Sequence, residues 1–573
     1  MILLIFPALT YYAQTKVSLK ISGNKNFTQS DYRKWANLIS LNIKSKSAAD
    51  SIKKRIILNL KENGCFFSSV KIDSLKFYKD SASAQIYLNV GEGKKAYLTS
   101  IVLSAPDSLD SAFVYSRLSE SVNAVFIPKL FEAELNGVLE EYGERGFPFA
   151  QFRILNISFP DSDKIVIYLK FELGVPAVID KIEISGNEKT KDYVIERNIR
   201  IKPGEKYSES RIKRIPAALK KLDFFKSVSK PDFYFDSRKR GVLSIKVVEK
   251  STNYFDGIIG YIPKAGNRNG YFTGSVKINL RNLFGTERAF GFKWEKTDER
   301  SQYFEVGYLE PWIFGLPVNI SGMIDQKTQD TTYIKRNYSI KINYLATENL
   351  TAGLIYSYGE TIPTGDTSKF TVYHSSFSTS GLEFLYDNRD DYYVPTKGFY
   401  VSLGLRFSRK TILGPAKFVR SGMSGNENYF KGEAAAGFYL SPFSRNVIAL
   451  AFHYKEIKGT NLEVSDLYRF GGTNTLRGFR FEQFLGNKIG WTNFEYRYLL
   501  SSDTYGFLFV DGGYYYNSIL KKENNADYRK LTYGYGLGLN FATGLGNMKI
   551  SFALGEGDSF SEGKLHFGIV NRF

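Results

Sequence analysis

The chain has 573 residues, too many for one ordinary domain, and a formal net charge of +19. Its 50 Gly, 46 Phe and 40 Tyr, against 16 Pro and 4 Met, suit twisted antiparallel sheet rather than a helix bundle. The single cysteine, Cys65, excludes an internal disulfide framework and a cysteine zinc site.

The first residues, MILLIFPALTYYAQ, read as a secretory signal that lacks its basic start, so residues 1–14 are expected to be a signal-peptide remnant with the true start upstream. No other stretch reaches 18 consecutive apolar residues, so no membrane-crossing helix is expected. Export without such a helix leaves a soluble secreted protein or an outer-membrane barrel.

Residues 16–250 repeat themselves about every 80 residues, in the order strand, helices, strand, strand. LKISGN at 19–24 returns as IEISGN at 182–187, each a strand ending in a Gly-Asn turn, and LTSIVLSAP at 98–106 is a weaker copy. Each unit carries an amphipathic helix. The stripes are Ile52, Ile56 and Leu60; Phe131, Leu135, Leu139 and Tyr142; and Ile212, Ile215, Leu219 and Leu222. Each unit ends in an alternating strand: AQIYLNVGEG, KIVIYLKFELG and VLSIKVVEK.

From about residue 253 the helical stripes stop and alternation takes over. Leu403, Leu405 and Phe407 oppose Gly404, Arg406 and Ser408. Tyr338, Ile340, Ile342 and Tyr344 oppose Ser339, Lys341 and Asn343. Tyr533, Tyr535, Leu537 and Leu539 oppose Gly534, Gly536, Gly538 and Asn540. Apolar-out, polar-in strands over this length predict an antiparallel transmembrane barrel of about 16 strands.

Residues 182–228 resemble the POTRA pattern of the BamA/TamA superfamily of outer-membrane insertases through Gly186-Asn187, Thr190, Arg197, Gly204, Tyr207 and Phe225. NLFG at 282–285, EPW at 310–312 and YDNRDDYYVPTKG at 386–398 resemble its barrel blocks. LRGF, formed by Leu476, Arg477, Gly478 and Phe479, is similar to the family's lid-loop motif, with Leu476 where Val or Ile is usual. The resemblance implies α+β POTRA repeats followed by an all-β barrel. The expected boundaries are 16–94, 95–174 and 175–250 for the repeats and 251–573 for the barrel.

The resemblance also implies that the sixth outer loop folds back into the barrel and that Arg477 meets acids on the inner wall. Alternation supplies the candidates independently: Glu495 and Arg497 oppose Phe494, Tyr496 and Tyr498, and Asp511 opposes Leu508 and Val510. An acid on the lipid face would cost a few kcal/mol near mid-bilayer, so Glu495 and Asp511 belong in the lumen. Arginine suits this role because its planar fork can hold one carboxylate while reaching another. The site is expected to be partly wet, with Gly534, Gly536 and Gly538 leaving room for the loop. The end of the chain, GKLHFGIVNRF, resembles a barrel β-signal, so His566, Gly568 and Phe573 are assigned to a lateral seam with the segment at 254–261.

No enzyme is expected: the chain has no G-x-S-x-G, no P-loop and three scattered histidines, so no catalytic residue, metal or cofactor is assigned. The expected function is assembly of outer-membrane proteins, with POTRA domains in the periplasm. Unfolded clients would pair with strands there, for instance at residues 165–171, and insert at the seam. Expected partners are those clients, outer-membrane lipids and periplasmic accessory proteins. Nucleic acid is excluded for want of any motif. The basic stretches RIKRIPAALKK and DSRKRG are assigned either to solvated faces or to anionic head groups. The alternatives are a two-partner secretion transporter exporting a soluble client, and a passive porin or surface antigen.

Overall fold

The computed structural model describes residues 16–37, 46–77, 83–262, 270–296, 298–364, 370–415, 417, 425–521, 527–543 and 546–570. The signal-like residues 1–14 and Phe573 lie outside them. The chain separates into two compact units. One holds Met1–Ile182, Pro203–Lys213 and Phe233–Leu243; the other holds Glu183–Lys202, Arg214–Asp232 and Ser244–Phe573.

The first repeat comprises β1 (Lys16–Ser22), α1 (Gln29–Ala36), α2 (Lys46–Glu62), β2 (Ser69–Phe77) and β3 (Ser83–Gly91). The second comprises β4 (Tyr97–Ser104), α3 (Ser108–Leu118), α4 (Pro128–Glu144), β5 (Gln151–Asp161) and β6 (Lys164–Glu172). Their sheets have the same order, β1-β3-β2 and β4-β6-β5. The two helices carry the chain back over the sheet, so the last strand lies parallel to the first; Leu19 pairs with Ile86 and Leu98 with Ile165. Ile52, Ile56 and Leu60 are buried in the first core, as is the free thiol of Cys65. In the second, Phe131, Val138 and Tyr142 are buried, with Leu135 and Leu139 packed at its margin.

The third repeat adds short strands: β7 (Val178–Ile179), β8 (Lys181–Ser185), α5 (Asp192–Ile199), β9 (Glu205–Lys206), α6 (Glu209–Lys221), β10 (Phe225–Val228), β11 (Asp232–Phe235) and β12 (Gly241–Glu249). The two S-G-N turns are built alike. Gly23 and Gly186 adopt φ of +81° and +85°, where a side chain would be strained and would strike the backbone of the last strand. Asn24 and Asn187 each donate, at 2.9 Å, to the carbonyl three residues on. A glutamate just after that strand's last inward residue then accepts from the turn. Glu92 takes the amides of Asn26 and Phe27, and Glu249 those of Lys189 and Thr190.

The barrel strands are β13 (Tyr254–Ile262), β14 (Tyr271–Leu283), β15 (Arg288–Lys296), β16 (Gln302–Glu310), β17 (Val318–Gln329) and β18 (Tyr333–Leu345). They continue with β19 (Leu350–Pro363), β20 (His374–Asp387), β21 (Gly398–Gly414), β22 (Asn426–Phe443) and β23 (Asn446–Lys458). A small hairpin, β24 (Tyr468–Phe470) with β25 (Phe484–Gly486), interrupts the run. The last strands are β26 (Lys488–Leu499), β27 (Tyr505–Lys521), β28 (Asp527–Thr543), β29 (Gly546–Gly555) and β30 (Lys564–Val570). Each pairs antiparallel with its neighbour in one 16-stranded sheet, in chain order with the hairpin left out. Among the described residues, β13 and β30 are its two edges.

The outward face is an apolar band: Leu403, Leu405, Phe407, Tyr338, Ile340, Tyr535 and Leu537 are all exposed. So large an uncovered apolar surface belongs against lipid, and the polar alternates line the lumen. Among the described residues, no helix is long and apolar enough to cross a membrane.

Candidate functional site

Residues 459–487, between β23 and β26, fold onto the inner wall. Gly471 and Gly478 adopt φ of +125° and +90°, which turn the backbone sharply on either side of Leu476-Arg477. Phe470, Leu476 and Phe479 bury with Ile489, Trp491 and Tyr515 of the wall, giving this lid its own apolar seat. Leu476 fits because β27 carries Gly513 opposite it; a Cβ there would lie 2.7 Å from its Cδ2.

Arg477 is then fully committed. Its Nε and Nη2 hold Asp511 bidentately at 2.8 and 2.7 Å, and its backbone amide donates to the same carboxylate at 3.0 Å. Its Nη1 reaches Glu495 Oε1 at 2.6 Å. Glu495 also accepts from Arg497 at 2.9 Å and from Lys549 at 2.6 Å. The site is drier than expected: Arg477 is 3% exposed and Asp511 0%. A cavity of about 240 Å³ borders Glu495, Arg497 and Lys549, whereas Asp511 does not line it.

The glycines of β28 divide the work differently from expectation. Asp511, Phe509 and Phe507 of β27 lie across from Gly534, Gly536 and Gly538 in register. A side chain at Gly534 would strike the Arg477 carbonyl, so Gly534 does admit the loop. Gly536 and Gly538 instead make room for the rings of Phe509 and Phe507. The Phe509 ring floors the site, with the Arg477 guanidinium 3.6 Å from its centroid.

Two parts of this site escaped the sequence reading. Lys549 sits on β29 between outward Met548 and Ile550, a parity that places it inward. Lys410, only 2% exposed, pairs with Glu463 and with Asp466 at 2.8 Å, clamping the approach to the lid. Alternation extended two residues past Ser408 marks Lys410 as inward, but nothing local marks its partners. Lys335 adds a bond to the Ser465 carbonyl at 2.8 Å, and Lys327 pairs with Glu482 at 2.8 Å.

His566 and Gly568, assigned to the seam, face the lid. His566 is 7% exposed, its Nε2 accepting the Gly478 amide at 3.0 Å. A Cβ on Gly568 would lie 3.1 Å from the Thr473 methyl.

The sequence blocks at the other end of the barrel meet one another. Asn282 donates to Thr190 Oγ1 at 2.8 Å, and Lys191 donates to the Gly285 carbonyl at 2.9 Å. Arg197 pairs with Glu287 at 2.8 Å and lies over the Trp312 ring. Asp223 accepts from Arg281 and from Tyr393, at 2.9 and 2.7 Å. Asp390 and Asp391 cap their own turn, accepting amides from Thr396, Lys397, Tyr393 and Val394. Among the described residues, no cluster of three or more His, Cys, Asp or Glu side chains could hold a metal ion.

Residues 282–573, just over half of the chain, match the Omp85 superfamily domain. The chain belongs to the Omp85 superfamily. Residues 177–250 match the POTRA family, described as a surface antigen variable number repeat. Outer membrane protein assembly factor BamA of Neorickettsia risticii is 25% identical over 321 residues, which are 52% of this chain and 40% of that protein. The namesake from Nitratidesulfovibrio vulgaris is 22% identical over 78% of this chain and 57% of its own length. This chain thus spans less than two thirds of either relative. The solved structure of CdiB from Escherichia coli is similar in fold, with a TM-score of 0.50 and 13% identity, over 94% of this chain and 97% of that one. As an Omp85 superfamily member, the chain is an outer-membrane barrel protein whose POTRA region lies in the periplasm.

Proposed function

We propose that this protein is an outer-membrane protein assembly factor. It captures unfolded clients on its periplasmic repeats and inserts them at the barrel seam, without catalysis. Residues 16–94 and 95–174 serve as POTRA-like domains ahead of a third at 175–250, and residues 251–573 are the barrel. Lipids meet the apolar outer band, and accessory proteins share the periplasmic repeats. The curated relatives named assembly factors support the reading.

The observation that carries it is the open strand β5. It lies at the edge of the order β4-β6-β5 and exposes apolar side chains, with Leu155, at a bulge, 60% and Ile154 55% exposed. An unpaired edge with such side chains is a template for an extended apolar segment. The segment at 165–171, expected to receive clients, is instead the centre of β6, paired on both sides, with Ile165, Ile167 and Leu169 fully buried. Its hydrogen-bonding groups are already used, so β5 replaces it in the proposal.

The test places a photo-crosslinker at Leu155 or Ile157 in the full chain and adds unfolded barrel protein. Cross-links at these positions, together with loss of barrel proteins from the outer membrane on depletion, are expected. Cross-links confined to helix faces would sink β-pairing. An unchanged outer-membrane proteome would favour export of a soluble partner or a passive pore.

A further inference from the structure

We infer that His566 is a positioning residue that couples the edge strand β30 to the seated lid. Among the described residues, β30 is paired along one side only, through residues 547–553 of β29. Two of its inward positions, His566 and Gly568, touch the lid. Gly478 meanwhile packs on β29: a Cβ there would lie 2.6 Å from the Leu554 carbonyl, and one on Gly555 would lie 2.7 Å from the Gly478 carbonyl. The lid therefore straddles the last hairpin, holding β29 by backbone packing and β30 by the imidazole.

The chemistry of the bond fixes the ring state. An amide N–H can only donate, so Nε2 must carry a lone pair and the single proton sits on Nδ1. Nδ1 lies 3.3 Å from Thr473 Oγ1, which accepts it. A protonated imidazolium would set N–H against N–H and add a positive charge. The charged groups facing it are Arg477 from the lid, Asp511 from β27 and Lys564 on its own strand. Asp511 favours that charge only through space, because Arg477 already engages both its oxygens, so it does not replace the lost bond. Acid that protonates His566 therefore releases β30 from the lid while leaving the Arg477 lock in place.

The consequence for client insertion rests on the proposed seam; the coupling itself does not. The test uses the full chain in lipid vesicles, with hydrogen exchange of the Gly478 and β30 amides read from pH 7.5 to pH 5. In the unsubstituted protein, the protection factors at these amides should fall about tenfold as pH falls, the worth of one such bond. His566→Gln, whose carbonyl can accept without titrating, should remain protected throughout. His566→Phe should be unprotected at both pH values. Nitrogen NMR of the three histidines should find His566 as the Nδ1–H tautomer at neutral pH, a reading that needs no variant. An Nε2–H tautomer, or a His566→Gln protein that keeps the pH response, would overturn the coupling. If the coupling holds and His566→Phe inserts clients at the full rate, the seam mechanism fails and the coupling stands.

Discussion

Arg477 gives Asp511 three hydrogen bonds and Glu495 only one, while Glu495 keeps two further cations, Arg497 and Lys549. The two acids therefore depend on the arginine unequally. Arg477→Ala strands a buried, uncompensated Asp511 but leaves Glu495 paired. Breaking one partner of a buried pair costs about 3–5 kcal/mol. That loss should appear as a protease-sensitive lid on an intact barrel. Adding Asp511→Asn removes the stranded charge and should recover part of the protection, whereas Glu495→Gln should not. Arg477→Lys should rescue less than Asp511→Asn, because a point charge cannot fork. An Arg477→Ala lid as resistant as the original would mean the lock has no mechanical role.

The Lys410 clamp holds the same loop from another direction. Lys410→Met leaves Glu463 and Asp466 facing each other in a buried site. Limited proteolysis should then cut near residues 459–467 before it cuts near Arg477. Combining Lys410→Met with Glu463→Gln and Asp466→Asn should restore resistance, since removing every member of a buried ionic set can be nearly neutral. If cleavage begins at the LRGF stretch instead, the two anchors are one cooperative unit.

At the periplasmic end, Asn282 bridges Thr190 and the Glu287 amide. Asn282→Ala should cost about 0.5–1.5 kcal/mol per lost bond, and Arg197→Ala more, because its partner Glu287 is largely buried. Hydrogen exchange at Lys191, whose amide bonds to the Gly285 carbonyl, should report the loosening. Unchanged exchange there in both variants would show that these contacts carry no load.

The S-G-N turns should respond to acid. Burial pushes the Glu249 carboxyl up, but the Thr190 side chain and amide and the Lys189 amide outweigh it and hold it below the usual 4.5. Glu92 is held down in the same way, against its own burial, by Tyr32 and the amides of residues 25–27. A carboxyl depressed on folding stabilises fully above its unfolded value and loses that contribution as pH falls through its folded value. Protection factors at Lys189 and Thr190 should thus be flat above about pH 4.5 and fall below it. Glu249→Gln should flatten that profile and lower its neutral plateau by about 1.5–3 kcal/mol. A fall centred near neutral pH would assign the effect to another group.

Sequence pattern alone determined the barrel, its wall and the two faces of its strands, because a period of two assigns every side chain to lipid or lumen without knowing its neighbours. Glu495, Asp511 and Arg497 were legible as inward residues on that ground, and Lys410 and Lys549 carry the same parity. Repeat periodicity likewise gave the helix stripes at Ile52, Ile56 and Leu60. The tertiary structure alone decided which inward groups meet. Lys410 and Glu463 are joined across 53 residues, and Gly478 and His566 across 88. Pairing at that range depends on register, on how far the loop descends and on which glycines clear its path. It also decided that β5, not β6, is the open edge, since sheet order follows the path of the connecting helices and leaves no trace in the alternation of either strand.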